Sequence, residues 1–148
     1  YEEVAYDLYP LENEGESLGL GRIGMLPNEM TLREFVECVK SAFDVPSVRV
    51  VGELDRKVSK VAVLGGDGNK YVKHAIRKRA DVYVTGDVSY HVAHDAMMEG
   101  LNIVDPGHHA EKIMKEGVRR VLREILREKG YDTEVISSNV STEPFQFM

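Results

Sequence analysis

Asp105-Pro106-Gly107-His108-His109-Ala110-Glu111 is the stretch on which the reading of the chain turns. The apolar run Leu101-Asn102-Ile103-Val104 leads into it, and a helical pattern from about 111 to 129 leads out. The heptapeptide is therefore a strand-to-helix turn. His108 and Glu111 stand three residues apart, so they share one face once the helix begins. Imidazole and carboxylate on one helical turn are a pair of ligands for a divalent metal. Ligation requires neutral imidazole, and the positive end of a helix dipole disfavours imidazolium. The same residues also suit a plain capped helix, with Asp105 or His108 near the N-cap and Glu111 in the first turn. Two ligands alone do not make a metal site.

Upstream of this turn the pattern repeats. Val61-Ala62-Val63-Leu64 is a short apolar strand, followed by Gly65-Gly66-Asp67-Gly68 and a helix over about 69–79. Asp81-Val82-Tyr83-Val84 is the next strand, followed by Thr85-Gly86-Asp87 and a helix over 89–99 that Gly100 closes. Downstream, the long helix carries Met114, Val118, Val121, Leu122 and Ile125 as an apolar stripe. Gly130 ends it, and Thr133-Glu134-Val135-Ile136 reads as a last strand. Strands alternating with helices predict an α/β fold with a largely parallel sheet flanked by helices.

The first third of the chain is less regular. Val4-Ala5-Tyr6-Asp7-Leu8-Tyr9 reads as a strand ended by Pro10, and 12–16 as a polar linker. Glycines interrupt a strand over 18–26 and point to a bulge or a close backbone approach. Thr31-Leu32-Arg33-Glu34 is a capping box, and Leu32, Phe35, Val36, Val39 and Phe43 form a buried helical stripe. Val48-Arg49-Val50-Val51 is a strand.

Position gives the polar residues their meaning. Three successive strands run out into turns that hold glycine and aspartate: Asp67, Asp87 and Asp105. Parallel strands put these turns on one edge, where open α/β sheets bind ligands. Asp67, Thr85, Asp87, Asp105, His108 and Glu111 should then face one cleft, with His91 in reach of it. Aspartate and glycine are also ordinary turn residues, which is the competing reading for each alone. The glycine loop begins like a dinucleotide fingerprint, but Tyr71 stands where the third glycine is needed. As a phosphate loop it has the wrong spacing and no following Ser or Thr. Loose anion binding by its backbone remains open.

Composition bounds the rest. At 148 residues, with 43% hydrophobic and 30% charged, the chain fits one soluble globular domain. A net charge of -6 argues against a broad nucleic-acid-binding face. The single cysteine, Cys38, excludes an internal disulfide framework and suits a reducing, cytoplasmic compartment. Its place in a helical pattern predicts a buried structural thiol. No apolar run approaches the ~20 residues of a membrane span, and no signal-peptide pattern is present. The chain starts at Tyr1 inside a strand-like run, which suggests a piece of something longer.

Taken together, Val84-Thr85-Gly86-Asp87-Val88-Ser89-Tyr90-His91 and Val104-Asp105-Pro106-Gly107-His108-His109-Ala110-Glu111 resemble the Nif-three-like family, the GTP cyclohydrolase 1 type 2 homologues. The Gly65 to Gly68 loop and the ending Thr142-Glu143-Pro144-Phe145-Gln146-Phe147 fit as well. The resemblance implies a dinuclear metal site between two α/β lobes and a toroidal homohexamer. It implies further ligands, a histidine pair followed by proline and an aspartate, from an N-terminal lobe. No His-His-Pro occurs here, so the chain resembles the C-terminal lobe, 15–148. Residues 1–11 resemble the end of a PII-like domain inserted between the lobes in some bacterial members, so 1–14 is the end of that insert or a linker. The family's metal-binding histidine carries over to His108. Its carboxylate often lies four residues on, where Lys112 stands here, and Glu111 at three shares the same helix face.

The implied activity is a metal-dependent hydrolase that opens the ring of GTP, with two divalent ions per full-length subunit. Histidine with carboxylates admits zinc, iron, manganese or cobalt. Two metals would lower the pKa of a water and hold the electrophile, with His91 as proton shuttle. His91 as a plain helix-start hydrogen bonder is the competing role. The rival function is a non-enzymatic metal-binding scaffold or regulatory ring. A third reading is a metal-independent nucleotide-binding module built on the glycine loop.

Overall fold

The computed structural model describes residues 18–146. The strand expected at 4–9, the linker at 12–16 and the boundary at 14/15 lie outside them. β1 (Arg22–Thr31), β2 (Arg49–Val51), β3 (Lys57–Asp67), β4 (Val82–Gly86) and β5 (Asn102–Asp105) form one sheet in the order β1-β3-β4-β5-β2. The three central strands are parallel, with Val61 beside Val82 and Val82 beside Asn102. β1 runs antiparallel to β3, and β2 antiparallel to β5. The predicted parallel sheet is thus its centre, with an antiparallel strand on each edge. β1 starts later than its sequence pattern, at Arg22, and its register shifts between Met25 and Met30. Pro27 lies in that irregular stretch, where a residue without an N–H costs an edge strand little.

Strand alternation sorts the core onto two faces. Val82, Val84 and Val104 pack with Leu32, Phe35, Val36 and Val39 of α1 (Leu32–Phe43). Tyr83 and Ile103 pack with Val72 and Ala75 of α2 (Val72–Arg77) and Ala96 of α3 (Tyr90–Met98). The predicted capping box holds: Glu34 N–H donates to Thr31 Oγ1 at 3.2 Å, and Thr31 N–H donates to Glu34 Oε2 at 2.7 Å. Such a cap is worth about 1 kcal/mol. α1 ends at Asp44 in the left-handed conformation, φ 51°. Cys38 is exposed, not buried as its helical setting suggested. It precedes Val39 and so sits about 100° around the helix from that core residue.

Two further expectations fail. The last helix begins as a 3-10 turn, His108–Ile113, and becomes α4 only over Met114–Glu128. Its apolar stripe lies where the periodicity puts it, but α4 buries no residue. Val118, Val121, Leu122 and Ile125 stay between 41% and 48% exposed. The strand expected at 133–136 is absent; 131–146 has no regular structure among the described residues. A strand needs a neighbour for its N–H and C=O groups, and this segment instead follows α4, where Lys115 Nζ donates to the Val140 carbonyl at 2.8 Å. No helix of the described residues is long and apolar enough to cross a membrane.

Candidate metal centre

The carboxyl ends of β3, β4 and β5 bring three glycine-bearing turns together. Thr85 Oγ1 donates to the Gly66 carbonyl at 3.2 Å, and the Tyr83 hydroxyl to the Gly68 carbonyl at 3.2 Å. A Cβ on Gly86 would lie 3.1 Å from the carbonyl oxygens of both Gly66 and Gly107. The turns approach this closely because each lacks a side chain at the crossing. They frame an apolar cavity of ≈ 440 Å³ whose lining includes Phe43, Leu64, Val84, Ala110 and Met114, with Glu111 as its charged wall.

His108 stands on the rim between two carboxylates. Its Nδ1 is 2.6 Å from Asp87 Oδ2, and its Nε2 is 3.5 Å from Glu111 Oε2. A carboxylate only accepts, so the bond to Asp87 puts a proton on Nδ1; when the ring is neutral, the Nε2 lone pair is then the one available to a metal on the Glu111 side. Two donors that share a metal at about 2.0–2.1 Å in tetrahedral geometry sit about 3.4 Å apart, and the observed pair matches that spacing. Gly65 and Gly66 leave the room: a Cβ on either would come within 3.0 Å and 3.1 Å of Glu111 Oε1. The side chains of His108, Asp87 and Glu111 remain 58%, 47% and 51% exposed, so the pair is open to solvent.

The expected dipole effect on His108 is overturned. The Asp87 hydrogen bond, the Asp87 charge, and then Glu111 and Asp67 hold its pKa above the ordinary histidine value. Adjacent carboxylates outweigh the weak field of a short 3-10 turn.

The other predicted residues separate. Asp67 lies near enough for its charge to act on His108, but its Oδ1 accepts from the Asn69 N–H at 2.9 Å and from Asn69 Nδ2. Those bonds hold its carboxyl below the usual range. Asp105 is at the same edge but does not face the cleft. It is 3% exposed and binds Arg49 and the N–H groups of Val88 and Gly107. His91 is exposed in the first turn of α3, edge-on to Tyr90 at 5.6 Å. Among the described residues no hydrogen bond or ion pair joins it to His108, Asp87 or Glu111. Asn69 and Arg49 escaped the sequence reading. An asparagine two residues after Asp67 in a glycine turn was the available signal for the first.

Among the described residues no three His, Cys, Asp or Glu side chains cluster to hold a metal. His108 and Glu111 therefore form a fitting but incomplete donor set.

A family profile described as Duf34/NIF3 (NGG1p interacting factor 3) matches residues 5–144. The chain is 68% identical over 148 residues to a GTP cyclohydrolase 1 type 2 homolog of Halalkalibacterium halodurans, spanning 100% of this chain and 40% of that protein. It is 61% identical to the Bacillus subtilis protein of the same name, again spanning 100% of this chain and 40% of the relative. A solved Bacillus cereus protein related to NIF3 superposes with a TM-score of 0.87 at 61% identity, covering 97% of this chain and 40% of that one. A solved Staphylococcus aureus protein gives 0.84 at 39% identity, over 88% of this chain and 42% of that one. The chain spans about two-fifths of the length of these relatives.

Proposed function

Because the chain belongs to the Duf34/NIF3 family, we propose that it contributes His108 and Glu111 to a dinuclear divalent-metal site in a hydrolase-like protein acting on a GTP-type nucleotide. The relatives' name, GTP cyclohydrolase 1 type 2 homolog, supplies the substrate class. The observation that carries the reading is the approach of His108 Nε2 and Glu111 Oε2 to 3.5 Å, over a backbone kept bare by Gly65 and Gly66. Two donors leave coordination positions for ligands from outside the chain, which is compatible with a chain that spans 40% of the relative's length.

When bound, such metals supply Lewis acidity and lower the pKa of a water. The chain's own residues hold and orient. His108 and Glu111 would bind through Nε2 and Oε2. His91, at the start of α3, is the proton carrier in this reading, since imidazole can both accept and donate a proton.

The test is metal analysis of the full-length protein, with GTP turnover measured before and after chelation. Bound metal, turnover lost on chelation, and loss of both in His108→Ala are the expected results. Metal content unchanged in the His108→Ala, Glu111→Ala double variant would remove these residues from the site. Metal without turnover would favour a scaffold. The family also points to a homo-oligomer, a hexamer in this reading, which sedimentation of the full-length protein tests.

A further inference from the structure

We propose that Asp87 is a positioning residue that fixes the tautomer and rotation of His108, and that Asn69 braces Asp87 for this task. The backbone gives the first reason. Among the described residues only Asp44, Arg79 and Asp87 have positive φ without being glycine. Asp44 caps α1, and Arg79 follows α2, where a left-handed residue terminates a helix. Asp87 ends no helix. It follows β4 with φ 56°, a conformation that is unfavourable for a side chain bearing Cβ.

The second reason is how that conformation is held. Asn69 Nδ2 donates to the Asp87 carbonyl at 2.9 Å, and Asn69 Oδ1 accepts from the Ser89 N–H at 3.0 Å. Between them, the Val88 N–H donates to Asp105 Oδ2 at 3.0 Å. Three successive residues are thus pinned by side chains from other turns. Burial does not explain the arrangement, since the Asp87 side chain is 47% exposed. What the pinned turn achieves is delivery of Oδ2 to His108 Nδ1 at 2.6 Å. A carboxylate there fixes the proton on Nδ1, orients the ring and raises the basicity of Nε2, as the outer partner of a metal-binding histidine does. The inference rests on the metal reading of His108 for its purpose, but the lock itself does not.

The experiment uses the full-length protein. Asp87→Gly keeps the positive φ without strain and removes the acceptor; Asp87→Asn tolerates the same φ and keeps one oxygen. The tautomer is read from ¹⁵N-histidine NMR of metal-free protein above the ring's titration, assigned with His108→Ala. Affinity for zinc is read by chelator competition. The expected results are Nδ1–H in the parent, a mixed tautomer and about 10–100-fold weaker zinc binding in Asp87→Gly, and substantial rescue of both in Asp87→Asn. Asp87→Gly with the parent's tautomer or the parent's affinity overturns the proposal. So does an Asp87→Asn variant as impaired as the glycine variant. A parent that shows the locked tautomer, lost in Asp87→Gly, yet binds no zinc sinks the metal reading and leaves the lock standing.

Discussion

Asp105 Oδ2 accepts the backbone N–H of Val88 at 3.0 Å, joining the turn after β5 to the turn after β4. Its Oδ1 accepts the Gly107 N–H at 2.8 Å, and Arg49 from the edge strand binds the same carboxylate and the Val88 carbonyl. The aspartate expected to face the cleft is instead the buried tie behind it. Asp105→Ala leaves two N–H groups without an acceptor, at roughly 1–3 kcal/mol each. We predict a loss of about 3 kcal/mol in urea denaturation. Arg49→Ala should cost less than this, because the Arg49 side chain is 67% exposed and the buried Asp105 carboxylate keeps its two N–H donors. Equal losses from the two substitutions would assign the stabilisation to the ion pair and not to the backbone bonds.

The glycines divide into structural and functional. A Cβ on Gly68 would collide with Thr85 Oγ1 and the Tyr83 hydroxyl, both on packed strand residues. Gly68→Ala should destabilise by about 2–3 kcal/mol through backbone displacement. A Cβ on Gly65 meets only the end of the Glu111 side chain, at 3.0 Å. Gly65→Ala should change stability by no more than about 0.5 kcal/mol and should weaken metal binding in the full-length protein by displacing Oε1. Thermal denaturation together with metal titration separates the two effects.

What the sequence revealed was local. Val61 to Leu64, Val82 to Val84 and the run before Asp105 read as strands because each is short, apolar and bounded by turn residues. The capping box at Thr31 was legible for the same reason. The His108–Glu111 pair followed from helical spacing, and the 3-10 turn that replaced the first helical turn still keeps the two together. The Asp87–His108 bond spans 21 residues, and the Asp105–Arg49 pair 56, so neither leaves a periodic trace. The strand at 133–136 failed because strand propensity does not supply a partner.

Asp81 gives the pH dependence. Burial pushes its pKa up, but the N–H groups of Lys60 and Ser59 and the Ser59 hydroxyl together lower it further. The folded value therefore lies below the unfolded value of about 3.9. This stabilisation is complete above about pH 4, and it disappears as pH falls through the folded pKa. Asp81→Asn should lose about 1 kcal/mol at neutral pH, allowing for partial exposure. It should also be less sensitive than the parent to acid. Parallel stability curves for parent and variant below pH 4 would contradict the assignment.

The stripe on α4 makes a prediction that a buried amphipathic helix would not. Charging a core position costs several kcal/mol. Val121 is 48% exposed and α4 buries no residue. In this chain alone, Val121→Glu should shift stability by no more than about 0.5 kcal/mol. The same substitution at Val36, buried on α1 against the sheet, should prevent stable folding. A large loss from Val121→Glu would mean that α4 packs its stripe against something within the chain.

The last prediction concerns the metal itself. This chain alone should bind metal weakly and show no GTP turnover. His108 and Glu111 are two donors on an exposed rim, with 58% and 51% of their side chains open to water. A catalytic metal takes about three protein ligands, and a two-metal site more. Among the described residues no third His, Cys, Asp or Glu joins them in a metal-holding cluster. Asp87 is committed to His108 Nδ1, Asp67 to Asn69, and Asp105 to the backbone behind the site. Water would then compete for every remaining coordination position. The fold does not depend on the metal, because its two core clusters lie on the faces of the sheet and the donors lie at its edge. Metal content after gel filtration, and GTP turnover, should therefore be low for this chain and high for the full-length protein, with both folded by circular dichroism. Tight stoichiometric metal in this chain would show that the donor set is complete within it and that no outside ligands are needed.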